Sequence, residues 1–248
     1  MKRLIILCAL ALVPSFMMAQ ARFIKAGKIE FERKINVHRQ YEPSEDEGDW
    51  FKEFISKQPR FHTTYFDLHF DESRTAYVPG RETDDNKRNL WFIGPAKDNK
   101  VATNLNTGRT RNLKNIFEET FLIDDTARRV QWRLSDETRT IAGFECRKAV
   151  GIICDSVYVV AFYTDEILTS GGPESFHGLP GMILGLAIPR LYTTWYATKL
   201  ELVAPDPKAL EFSAKGKKIT EKELQVTLQK SLKNWGKQAQ RNIWWTML

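Results

Sequence analysis

From Gly27 onward, Ile29, Phe31, Ile35 and Val37 alternate with Lys28, Glu30, Lys34 and Asn36, the two-residue period of a strand with one face covered. Arg33 falls on the apolar side and is the one mismatch in that pattern. Residues 50–57 place Trp50, Phe51, Phe54 and Ile55 on one side of a short helix that stops before Pro59 and caps one end of a sheet. Phe66, Leu68 and Phe70 alternate again, and Asp71-Glu72-Ser73 turns the chain into residues 75–78, which predicts a β-hairpin. Residues 90–93 read as a short strand. Asp98-Asn99 and Asn106-Thr107-Gly108 mark turns in a region anchored only by Val101 and Leu105, whose pairing the pattern leaves open. Phe117, Phe121, Leu122 and Ile123 return to the core, and Val130, Trp132 and Leu134 then face one way with Arg129, Gln131 and Arg133 facing the other.

A run of strands follows over residues 138–141, 144–153, 157–163, 182–188 and 192–203. No helical segment intervenes, so the connections are too short for parallel crossovers and the sheet is expected to be antiparallel. On the last strand Leu191, Trp195 and Ala197 share one face, with Tyr192, Tyr196, Leu200 and Leu202 on the other. About nine to eleven strands in one open sheet must curl or close. The predicted fold is therefore mainly β, a large curved antiparallel sheet forming a half-open barrel or sandwich. Pro205 and Pro207 end the strand pattern. Thr220 with Glu223 forms a capping box, and Leu224, Leu228, Leu232 and Trp235 recur at helical spacing, which predicts a helix over 221–240. Its stripe either packs on the body or lies on a membrane or partner surface; Lys222, Lys230, Lys233 and Lys237 with Trp244-Trp245 would suit an anionic headgroup layer. The organisation read from these patterns is one β domain over 22–207 and a basic helical segment over 208–248.

Residues 171–186, GGPESFHGLPGMILGL, carry two glycine–proline turn signals around one aromatic and one histidine. Leu179-Pro180-Gly181-Met182 suits a type II turn, with φ preset by Pro180 and positive φ accepted by Gly181. Met182-Ile183-Leu184 is apolar without alternation, as in a strand covered on both faces. Gly178-Leu179-Pro180-Gly181-Met182-Ile183 differs at one letter from the signature of the GLPGLI family, and upstream segments also resemble that family. Trp132 opens a Trp-Arg-Leu-Ser-Asp-Glu-Thr run, residues 140–149 resemble its I-x-G-Y-x-C-x-K-A segment, and residues 162–167 resemble its W-Y-T-x-E-I strand end. Phe144, Phe162 and Leu168 depart from the usual tyrosine, tryptophan and proline. The resemblance runs roughly from residue 27 to 203. It implies an exported protein of Gram-negative envelopes with no established catalytic residues. Gly172, Pro173, Phe176, His177, Gly178, Leu179, Pro180, Gly181, Met182 and Ile183 are carried over as a binding or structural motif, and none as catalytic.

Residues 1–21 have the parts of a signal peptide: Lys2 and Arg3, an apolar core over 4–18, and Ala19-Gln20-Ala21 as the cleavage site. A membrane anchor needs about 20 apolar residues, and this core is shorter and broken by Pro14. The expectation is export to the periplasm or outer surface, with Cys8 removed. Cys146 and Cys154 remain, and an oxidising compartment favours pairing them. On one extended strand, however, they would lie about 26 Å apart at ~3.3 Å per residue. They are read as unpaired, since a bridge would need a tight turn near Gly151. The net charge of +6 is concentrated in residues 215–248, with eight basic and two acidic residues. That placement and the expected export exclude a nucleic-acid face.

His177 is the candidate base, near Glu174 and Ser175, and a base needs a partner and a substrate-facing position. Pro173 and His177 stand where a nucleophile elbow around Ser175 would need glycines. His38, His62, His69 and His177 lack metal-ligand spacing, and Glu45, Asp46, Glu47 and Asp49 lack that of a calcium loop. No cofactor or metal is indicated. Cys146 reads as a buried structural thiol. Two classes of function stay open. The first is a non-enzymatic binding protein holding an apolar ligand, peptide or protein segment in an aromatic-lined pocket, with residues 171–181 at the rim. It draws on 15 phenylalanines and seven tryptophans. The second is a hydrolase using His177 with Glu174 or Cys146. A third reading makes the chain an accessory partner of an outer-membrane transporter through its basic helix.

Overall fold

The computed structural model describes residues 23–41, 48–84, 97–212 and 215–248. The expected signal peptide with Cys8, most of the acidic stretch before Trp50 and the strand expected over 90–93 lie outside them.

Among the described residues, twelve strands form one sheet. They are β1 (Gly27–Asn36), β2 (Phe61–Phe70), β3 (Arg74–Pro79), β4 (Lys100–Asn104), β5 (Arg109–Ile116), β6 (Glu119–Thr126), β7 (Arg133–Ile141), β8 (Phe144–Ile153), β9 (Val157–Thr164), β10 (Met182–Ile188), β11 (Thr193–Glu201) and β12 (Lys217–Ile219). The order across the sheet is β12-β6-β5-β4-β3-β2-β1-β11-β10-β9-β8-β7. Two meanders, β1 to β6 and β7 to β11, therefore meet at one seam. There Arg33 lies opposite Trp195 and Lys28 opposite Glu201, while β1 also pairs with β2 through Phe31 and Phe66. Tight turns join β4 to β5, β5 to β6, β7 to β8, β8 to β9, and β2 to β3, where Asp71 Oδ1 accepts from the main-chain N–H groups of Ser73 (2.9 Å) and Arg74 (2.7 Å), whereas longer connections join β1 to β2, β3 to β4 and β9 to β10.

The outermost strands β12 and β7 do not pair with each other, so the sheet is not closed into a barrel. The all-antiparallel expectation is corrected at one place, where β12 runs parallel to β6. A connection from residue 202 to residue 216 separates β11 from β12, long enough to bring the last strand in from either direction. Curvature is evident at the other end. Arg139 Nη1 donates to the Tyr196 hydroxyl at 3.2 Å, so β7 turns back over one face of β11.

The other face, the inner one, carries Phe31, Phe66, Leu68, Tyr77, Trp195 and Leu186, buried in one cluster with Phe176, Leu179 and Trp245. Helix α1 (Asp49–Ser56) is the short helix predicted at 50–57, and it buries Ile55 while Trp50 stays exposed. The helix predicted over 221–240 is two helices, α2 (Glu221–Ser231) and α3 (Lys237–Thr246). The capping box is present: Thr220 Oγ1 accepts from the Glu223 N–H at 3.2 Å, and Glu223 Oε2 accepts from the Thr220 N–H at 2.9 Å. The break falls at Gly236, whose φ of +57° is left-handed and cheap only for glycine. Trp235 therefore leaves the stripe and lies exposed against the exposed Phe117, with ring centres 5.4 Å apart, where the pattern predicts Phe117 in the core and Trp235 in the helix stripe. Leu134 is also exposed, since it lies in the outermost strand β7, whose residues are exposed on both faces up to Thr140, and Val130 and Trp132 precede that strand in non-strand chain. Leu224, Leu228 and Leu232 pack against Ile116, Phe121 and Ile123. That packing consumes the stripe, and Trp245 is buried, so neither is presented to a headgroup layer.

Leu228→Ala should cost about 2–5 kcal/mol in chemical denaturation, since Leu228 is fully packed. Val226→Ala, on the exposed side of the same helix, should stay within about 0.5 kcal/mol.

Candidate functional site

Between β9 and β10 the chain crosses the inner face as a strap. Thr169 Oγ1 donates to the main-chain oxygen of Asp71 at 2.7 Å, fastening the strap to the β2–β3 turn in the first meander. On its way back, the Gly178 N–H donates to Ser170 Oγ (2.9 Å), Trp132 Nε1 donates to the main-chain oxygen of His177 (3.0 Å), and Phe176 packs on Trp132. Pro173 is buried within it. The type II turn predicted at 179–182 is corrected. The Gly181 N–H donates to the Leu179 oxygen at 2.8 Å, which closes a three-residue turn centred on Pro180, whose ring fixes a suitable φ. Gly181 has φ +135°, and a Cβ there would collide with the main-chain oxygen of Thr164. Glycine is thus required by close approach to the end of β9 as well as by φ. At Gly172 close approach alone applies, since a Cβ would stand 2.7 Å from Cβ of Ile183. Met182, Ile183 and Leu184 are buried, as the unbroken apolar run predicts, and Leu179 is buried too.

Glu174 is the strap's one inward charge. Its backbone has a φ of +54°, costly for a residue with a side chain, and that conformation goes with burial of its carboxylate against Arg33 of β1. Arg33 Nη1 and Glu174 Oε1 are 3.8 Å apart, both in side chains no more than 1% exposed. Arg33 Nε donates to Thr64 Oγ1 at 3.0 Å and its Nη2 to the main-chain oxygen of Lys97 at 2.9 Å. Asn99 Nδ2 donates to Glu174 Oε2 at 3.0 Å. The guanidinium carbon lies 4.6 Å from the Phe66 ring centre and 5.9 Å from that of Trp245. Tyr77 stacks on Phe66 at 4.7 Å, and burial, with the Glu174 charge adding to it, pushes its phenol well above the ordinary value.

Lys114 of β5 is buried nearby and donates through Nζ to the main-chain oxygens of Thr246 (2.8 Å) and Leu248 (2.7 Å). Burial lowers its ammonium to about 8. Arg128 donates to the main-chain oxygen of Met247 and to Glu221. Trp245 of α3 faces Trp195 with ring centres 6.4 Å apart. The inner face thus has a charged centre beneath the strap and a set of cationic donors that hold residues 246–248.

The catalytic pairings weighed from the sequence do not assemble. Glu174 turns inward to Arg33 and Asn99, and His177 instead meets the main chain of Arg128, leaving its Nε2 without a partner among the described residues. Burial lowers the imidazole below its ordinary value, partly offset by that main-chain hydrogen bond. Cys146 is fully buried, and burial pushes its thiol up to about 12, so it stays protonated where a nucleophile would have to be a thiolate. Cys146 and Cys154 are both free thiols. Arg33 was visible in the sequence as a charge on an apolar face. Asn99, Lys114 and Tyr77 were not singled out. The signal for Lys114 was its period-two spacing with Ile116, which puts a lysine on a covered face.

Residues 153–185 match the model of a family described as a protein of unknown function (Porph_ging). No curated protein matches the chain. PNGF-II, solved in P21 and C2 crystal forms, superposes on the chain with a TM-score of 0.51 in each and 14% identity. The alignments cover 85% and 89% of this chain and 33% of PNGF-II, so the chain spans about a third of that protein, and the likeness is one of fold.

Glu174→Ala should cost about 3–5 kcal/mol in urea denaturation by leaving Arg33 buried without its countercharge, and the Arg33→Met/Glu174→Met double variant should recover most of that loss. Lys114 gives a pH signature. Its folded value of about 8 lies below the ordinary 10.5, so the unfolded chain binds more protons across that window. Stability should therefore gain from Lys114 as pH rises through it. The difference between wild-type and Lys114→Met Tm values, followed from pH 7 upward, should show that gain.

Proposed function

We propose that the chain is an exported protein of the GLPGLI type, placed in the periplasm or on the outer surface of a Gram-negative envelope, that holds a peptide or protein segment on its inner face and catalyses no reaction. The GLPGMI run lies inside the stretch matched by the family of unknown function, and residues 1–21 supply the leader. Residues 172–183 act in this reading as the strap that borders the binding face.

One observation carries the binding role. The inner face grips residues of its own chain by their main-chain oxygens, through Lys114 on Thr246 and Leu248 and Arg128 on Met247, with the Trp245 indole as anchor against Trp195. Donors aimed at carbonyls read backbone, so a foreign segment with an aromatic anchor can use the same grip. The hydrolase reading loses its residues, since Glu174 and Cys146 are committed to the interior.

A labelled peptide of residues 237–248 should bind the full-length Trp245→Ala variant with a Kd of ~1–100 µM in fluorescence anisotropy. Wild type, whose own segment occupies the grip, should bind it at least tenfold more weakly. Absence of binding to the variant would remove the segment-holding role.

A further inference from the structure

Around Arg33 the structure leaves six buried polar atoms without a hydrogen-bond partner among the described residues. They are Arg33 Nη1, Glu174 Oε1, Asn99 Oδ1, Tyr77 Oη, Trp195 Nε1 and Trp245 Nε1. All six residues are at most 4% exposed. They are also neighbours. Arg33 Nη1 and Glu174 Oε1 stand 3.8 Å apart, a charge pair without a hydrogen bond. Asn99 holds the other oxygen of Glu174. The Trp195 indole lies beside the Tyr77 phenol but outside hydrogen-bonding geometry, and Trp245 reaches both Trp195 and Arg33. Native interiors leave few such atoms unmatched, so a cluster of them calls for a group that supplies the missing donors and acceptors.

The chemistry of the set defines that group. Arg33 Nη1 and the two indole nitrogens can only donate, Glu174 Oε1 and Asn99 Oδ1 can only accept, and the Tyr77 hydroxyl does either. The arginine and glutamate charges offset each other, so neither an anion nor a cation is favoured. The rings of Tyr77, Trp195 and Trp245 border the same region and suit a ligand with C–H faces. An apolar ligand, the guest suggested by the aromatic content, would leave all six atoms unmatched. We infer that the charged centre of the inner face is a binding site for a neutral polyhydroxy ligand, a free sugar or sugar unit, whose hydroxyls each donate and accept. Trp245 stands against this site, so a ligand that reaches it has to displace that side chain. This deepens the reading of the inner face as a binding face and uses a different probe from the peptide, so each can fail alone.

The test is titration of the intact mature protein with glucose, galactose, mannose and N-acetylglucosamine, followed by calorimetry and by Tm. At least one sugar should give saturable heat and a concentration-dependent rise in Tm. Tyr77→Phe removes only an unpartnered hydroxyl, so the variant should fold as well as wild type and bind that sugar at least tenfold more weakly; Glu174→Gln should weaken it further. No response to any of the four sugars at tens of millimolar would overturn the proposal. So would undiminished binding by Tyr77→Phe, or a crystal structure of the sugar-soaked protein with only ordered water at the six atoms.

Discussion

The Arg33–Glu174 contact joins what the chain order keeps apart. Arg33 belongs to the first meander and Glu174 to a connection within the second, and among the described residues the two meanders pair as strands only along the β1–β11 seam. Burying two charges costs several kcal/mol each before their attraction offsets it, so the pair is poor evidence of stability. Its effect is on arrangement. The placement of the strap satisfies Arg33, Asn99 and Asp71 together, and with it Phe176 and Leu179 enter the core. Trp245 stacks over the same guanidinium, so α3 is positioned by the group that positions the strap.

This account changes what the glycine–proline signature means. Gly178-Leu179-Pro180-Gly181 drew attention as a potential site because turn residues surround a histidine. The structure gives each a packing reason: Pro180 centres a tight turn, Gly181 lets the strap pass against the end of β9, and the main chain of His177 serves Trp132. Close passage of a loop over strands demands the small and rigid residues that also mark catalytic loops, and the two origins look alike in sequence.

Strands with strict alternation were legible, and β1, β2 and the run from β8 to β11 follow the pattern read for them. β4 and β5 were not, because their covered face carries Thr103, Thr110, Asn112 and Lys114 where alternation analysis looks for apolar side chains. Buried threonines and a buried lysine are supported by partners that come from elsewhere, as the oxygens of Thr246 and Leu248 are for Lys114. The single predicted helix failed for a local reason, since the apolar period of Leu224, Leu228 and Leu232 resumes at Ala239 and Ile243 beyond Gly236 while the helical backbone is interrupted there. Of the charged centre, one residue in the sequence pointed to it. Arg33 was the mismatch on an apolar strand, and its partners lie at sequence distances of 31 to 141 residues, beyond any local pattern.

The seam between the meanders sets an order of assembly. Each meander can form from strands adjacent in sequence, but β1 finds its second neighbour only when β11 exists, because Lys28 pairs with Glu201. Until then the edge of β1, apolar on one side, is an open template for any other strand. Joining residues so far apart is slow, since the loop must close before the contacts reward it. A chain released vectorially from its first residue would therefore hold that edge unprotected through most of its synthesis or transport. The folding step most exposed to aggregation is the docking of two preformed halves.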